Sequence, residues 1–80
     1  MKVRELLKHL GTLDPDLEVF CYTEDDSVLA KGHGFRLLDV TGVSTTEGVM
    51  MRDDADVPGM RIGKDQGSMR YAILEVTADF

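Results

Sequence analysis

Val3-Arg4-Glu5-Leu6-Leu7-Lys8-His9-Leu10-Gly11, followed by Thr12-Leu13-Asp14-Pro15-Asp16-Leu17-Glu18-Val19, is the stretch that decides the architecture of this chain. Val3, Leu6, Leu7 and Leu10 recur at i, i+3, i+4 and i+7. That spacing stacks four apolar side chains on one helical face and leaves Lys2, Arg4, Glu5 and Lys8 on the solvated side. It predicts an amphipathic helix of about two turns. Isolated helices below roughly 12 to 15 residues are marginal in water, so a sheet is expected to hold this one. Gly11 suits the left-handed position just past a helix C-terminus, and Lys8 and His9 fall in the last turn, where cations oppose the dipole's negative end. His9 reads as a partly exposed last-turn residue and not as a catalytic one. Pro15 then drives Asp14 toward extended geometry, and Leu17-Glu18-Val19 turns into a strand.

Further along, Phe20-Cys21-Tyr22 continues that strand, Glu24-Asp25-Asp26-Ser27 reads as a hairpin turn, and Val28-Leu29-Ala30 as the start of a return strand. Gly32 and Gly34 flank His33 and leave it on an exposed loop. Phe35 to Thr46 is dense in Val, Thr and Leu and reads as a strand, with Gly42 marking a bulge or a close backbone approach. Thr45-Thr46-Glu47-Gly48 reads as the next turn, Val49-Met50-Met51-Arg52 as a short strand, and 53–59 as a loop. In the last strand, Arg70 to Thr77, Ala72, Leu74 and Val76 share one face and Tyr71 and Ile73 the other, which predicts a central strand covered on both sides. The expectation is an α+β fold: one short N-terminal helix packed on a mostly antiparallel sheet of four or five strands, as a single small domain over 1–80.

Lys2-Val3-Arg4-Glu5-Leu6-Leu7, then Leu10, then Leu13-Asp14-Pro15-Asp16-Leu17-Glu18-Val19, resembles the opening of many small uncharacterised proteins encoded by bacteriophages and prophages. Those proteins begin with a short helix, an Asp-Pro-Asp or similar turn, and a strand rich in Val. The resemblance covers residues 2–19 and carries no catalytic residues. It implies an accessory phage or bacterial protein of α+β type.

With 42% hydrophobic residues in 80, the chain is too apolar for disorder. A chain of this size buries only roughly 60 to 65% of its unfolded surface, and such chains often add a disulfide, a metal or a partner subunit. Cys21 is the one cysteine, so no internal disulfide forms. Its place between Phe20 and Tyr22, with no Lys, Arg or His beside it, reads as a small buried hydrophobe rather than a reactive thiol. A reducing, cytoplasmic setting is expected: no charged start leads into an apolar run of roughly 7 to 15 residues, and nothing approaches the roughly 18 apolar residues of a membrane span.

Chemistry is sparse. Asp54, Asp56, Gly59 and Asp65 fall at positions 1, 3, 6 and 12 of a calcium loop, but Pro58 takes a ligand position, Asp stands where a bidentate Glu is needed, and no helices flank the segment. An ordinary solvated loop is expected, without metal. Pairing Asp25 and Asp26 with Asp53 and Asp54 would require tertiary proximity. Gly59 to Ser68 has the glycines, Lys and Ser of a phosphate-cradling loop at the wrong spacing for a nucleotide P-loop, and a strand follows instead of a helix. Arg61, Lys64 and Arg70, with Ser68 and the loop residue His33, are nevertheless the candidate residues for a small anionic, nucleotide-like ligand. No nucleophile, base and oxyanion donors gather, and nothing local places His33 beside Asp25 or Asp53, so neither an enzyme nor a cofactor is expected.

The 15 acidic and 9 basic side chains give a net charge of -6, which weighs against direct nucleic-acid binding. The same charge suits a protein that occupies a basic groove on a partner. Met50, Met51, Met60 and Met69, with Phe35 and Tyr71, could form an apolar patch, and burial of a leftover sheet surface predicts a homodimer. The composite expectation is a non-enzymatic accessory protein that binds a protein partner, as an inhibitor or acidic decoy of a host protein. The alternative is sequestration of a small anionic ligand at the 59–70 loop.

Overall fold

The computed structural model describes residues 1–80. Helix α1 (Val3–Leu10) is followed by strands β1 (Phe20–Thr23), β2 (Arg36–Arg52), β3 (Pro58–Ile62) and β4 (Met69–Thr77). The strands make one four-stranded antiparallel sheet in which β2 is the shared member, since β1, β3 and β4 each pair with it. An α+β chain with one short helix is therefore what the sequence builds.

The helix begins after Lys2, whose carbonyl accepts from the Glu5 and Leu6 amides at 3.0 and 3.1 Å. At its other end the Gly11 amide bonds the Leu7 carbonyl at 2.8 Å. Gly11 sits at φ -64°, ψ -14°, so the expected left-handed cap is not made. The chain leaves by a tight turn instead: Leu13 N–H donates to Leu10 O at 3.0 Å, and the Thr12 hydroxyl donates to His9 O at 3.1 Å. These bonds occupy helix-end carbonyls that a left-handed glycine would otherwise have served. The Asp14-Pro15-Asp16 turn follows, with Asp14 Oδ1 accepting from the Asp16 amide at 2.9 Å.

Three local expectations are corrected. Val28-Leu29-Ala30 is not a strand. Asp25 accepts from both the amide and the hydroxyl of Ser27, the Val28 amide bonds Asp25 O at 2.9 Å, and Arg36 Nη1 bonds Val28 O at 2.9 Å. Both backbone polar groups of Val28 are thus engaged outside a ladder, and the return strand starts only at Arg36. Thr45–Gly48 is not a turn either, because β2 runs unbroken for 17 residues. Gly48 there lies opposite Ile62, and its lack of a side chain admits a close crossing by Met60. The Gly42 reading holds in its second form, a close approach: a Cβ at Gly42 would lie 2.7 Å from Glu75 Oε2. Finally, β3 occupies Pro58–Ile62, where loop was expected, because the hairpin closes earlier. Asp53 Oδ1 accepts from the Ala55 and Val57 amides, both at 2.9 Å, and Asp56 takes the left-handed conformation at φ 62° that Asp tolerates.

The chain clusters into two compact units, one of Met1–Gly42 with Glu75–Phe80 and the other of Val43–Leu74, and β2 and β4 give residues to both. The expected central strand is β2, not β4. β4 pairs with β2 alone, and of its apolar residues Tyr71 and Ile73 are half-buried while Leu74 and Val76 are exposed. No hydrophobic side chain anywhere is fully buried; Gly48 is the one buried residue. The chain exposes 7021 Å².

Candidate interaction surface

Strand alternation sends Phe20 and Tyr22 to one face of β1, and the register places them opposite Asp39 and Leu37 of β2. Two more rings join them. Phe35 stacks on Tyr22 at 5.7 Å between centroids and 26° between planes, and Phe80 tilts against Phe20 at 5.5 Å and 42°. Four of the five aromatic residues thus gather on the exposed surface of the first unit, around Leu37. Phe20 also closes one end of a groove of about 440 Å³, whose apolar wall is Leu10, Leu13, Pro15, Leu17 and Val19 and whose polar rim is Asp14 and Glu18.

Charge is segregated in the same unit. The first ten residues set Lys2, Arg4 and Lys8 against Glu5 alone, whereas Gly11 to Ala30 holds Asp14, Asp16, Glu18, Glu24, Asp25 and Asp26 with no Lys or Arg. All six carboxylates are exposed and none is ion-paired. Three are engaged otherwise, Asp14 by the Asp16 amide. Glu24 accepts the Tyr22 phenol proton, which raises the Tyr22 pKa above its ordinary value, with slight desolvation adding to the effect. The Ser27 hydroxyl and amide, at 2.7 and 3.0 Å, stabilise ionised Asp25 and lower its pKa.

Of the candidate anion-binding residues, Arg61 and Ser68 both meet Asp65. Arg61 is on β3, Lys64 and Ser68 are on the turn that follows it, and Arg70 is on β4, all in the second unit; His33 belongs to the first. Arg61 Nη2 already pairs with Asp65 Oδ2 at 3.2 Å, and Ser68 Oγ accepts from the Asp65 amide at 3.3 Å. His33 is exposed on a loop where Gly32 takes φ 81° while Gly34 stays out of the left-handed region. Of the methionine patch, Met50 and Met60 are cross-strand partners, while Phe35 lies in the other unit. No three or more His, Cys, Asp or Glu side chains come together as a metal-holding group. Cys21 is half-buried.

Reading the sequence for chemistry passes over the aromatic face and the acidic run. The i, i+2 spacing of Phe20 and Tyr22 carried the signal for the first, but Phe35 and Phe80 reach it only through tertiary folding. The second was legible as six carboxylates without an intervening cation.

The site so defined is an exposed apolar and acidic surface on the first unit of a small α+β chain. Comparison with protein-family models, with curated proteins and with solved structures finds no match in any of the three. No helix is long and apolar enough to cross a membrane.

Proposed function

We propose that this chain is a non-enzymatic phage or bacterial accessory protein that acts by binding a protein partner. The observation that carries the reading is the open face of the first unit, where Phe20, Tyr22, Phe35 and Phe80 are all exposed in a unit whose six carboxylates between Gly11 and Ala30 make no ion pair. The chemistry of the partner follows from charge. Exposed carboxylates at Glu24, Asp25 and Asp26, on a chain of net charge -6, suit a cationic protein surface of the kind that otherwise holds nucleic acid. Occupying such a groove makes the chain an inhibitor or decoy.

The test is affinity capture from a bacterial lysate with wild type and with Asp25→Lys/Asp26→Lys, each eluted by a salt gradient. The expected result is one basic protein retained by wild type, released by moderate salt and not held by the variant. Capture of the same protein by both, or of none by wild type, refutes the acidic-surface reading.

A further inference from the structure

We propose that the apolar stripe of α1 docks in the Leu10–Phe20 groove of a second copy of this chain, reciprocally, as a twofold dimer. Within its own chain the stripe is covered only in part: Leu6 is half-buried and Leu10 lines the groove, whereas Val3 is 57% exposed and Leu7 is 63% exposed. A helix of eight residues does not hold in water without cover on its apolar face. The tight turn at Leu10–Leu13 sets the helix's own Leu10 at the groove wall and leaves Val3 and Leu7 open, so a second chain is the available source of cover.

Shape and charge both choose this chain as the occupant. The groove offers Leu13, Leu17 and Val19, all exposed, beneath Asp14 and Glu18. The stripe is flanked by Lys2 on one side and Arg4 on the other, with Lys8 on the opposite face. An apolar helix face with basic shoulders entering an apolar groove with acidic rims is the helix-in-groove mode of recognition, and opposite charges at the rim fix its register. Each copy carries one helix and one groove, so two reciprocal contacts close the assembly and leave none to propagate. The dimer does not depend on the cationic partner proposed above, which uses the Glu24–Asp26 turn.

Sedimentation equilibrium of the full chain across the micromolar range tests this. Wild type is expected at twice its 8.9 kDa mass. Leu7→Glu is expected to weaken association at least about 100-fold, as loss of a central apolar anchor does, whereas Ile62→Glu, at an equally exposed site of the second unit, leaves the mass unchanged. Should Leu7→Glu fail to fold, a Cys21→Ser background carrying Leu7→Cys, mixed with one carrying Leu17→Cys and oxidised, is expected to give a mixed disulfide of one chain of each. Wild type at 8.9 kDa at every concentration overturns the assignment and leaves the groove to an unlike partner. So does a dimer indifferent to Leu7→Glu, or the absence of the mixed disulfide.

Discussion

Replacing Gly48 by alanine puts a methyl group where β2 and β3 run closest. The added Cβ would lie 2.5 Å from the Arg61 carbonyl oxygen, 2.8 Å from Met60 Cγ and 3.0 Å from Met60 Sδ. Carbon and oxygen in adjacent strands ordinarily approach to roughly 3.3 to 3.6 Å, so β3 must move by nearly an ångström. Overpacking of this kind costs about 1 to 3 kcal/mol, and the narrower unfolded ensemble of alanine returns about 0.4 to 1 kcal/mol. Taking midpoints, the net loss is about 1.3 kcal/mol, which lowers the melting temperature of a domain this size by about 5 to 10 °C. Two glycines calibrate the effect. Gly59 has nothing within 4 Å of its Cβ position, so Gly59→Ala is expected within about 0.5 kcal/mol of wild type. At Gly42 the obstructing atom is Glu75 Oε2, the end of a flexible side chain, so Gly42→Ala is expected to cost under about 1 kcal/mol. In a Met60→Ala background most of the Gly48→Ala loss should persist, because the carbonyl belongs to the backbone and cannot swing away. The assay is thermal melting by circular dichroism at matched protein concentration, since self-association raises apparent stability. A Gly48→Ala protein that melts as high as Gly59→Ala would show that the strands have room to part, and the reasoning fails.

Two further outcomes are expected. Asp53→Ala removes the acceptor for the Ala55 and Val57 amides and should cost about 1 to 2 kcal/mol in a urea titration, most of it recovered by Asp53→Asn; an unchanged midpoint in the alanine variant refutes the role. Tyr22, observed by ultraviolet titration in a Tyr71→Phe background, should ionise above the ordinary phenol value, and Glu24→Gln should bring it back down. Because the folded pKa is the raised one, the stabilisation from this bond is complete below the unfolded value of about 10 and is lost as pH climbs through the folded value. An identical titration in both proteins contradicts the bond.

The elements that were legible are those written in local pattern. Val3, Leu6, Leu7 and Leu10 give the helix to within its observed limits, and alternating apolar residues from Arg70 to Thr77 give the last strand, which begins one residue earlier at Met69. Less visible was β2, because Thr45-Thr46-Glu47-Gly48 has turn composition and only the crossing of Met60 over Gly48 makes the glycine a strand residue. The same holds for Val28-Leu29-Ala30, whose strand-like composition yields to local bonds from Asp25 and Arg36. For the surface, the charge of the Asp14–Asp26 stretch could be counted directly, but the ring pairs Phe20–Phe80 and Tyr22–Phe35 depend on contacts distant in sequence.

By itself the sequence determined the class of the fold, the amphipathic first helix and the net charge, because periodicity and composition are local properties that survive any arrangement of the chain. The tertiary structure alone decided that β2 is the shared strand, that Arg61 pairs with Asp65, and that Val3 and Leu7 of the helix stripe and the aromatic face stay open to solvent. The physical reason is that burial is a relation between segments: an apolar stripe states that a side chain needs cover, and only the folded chain shows whether its own sheet supplies it.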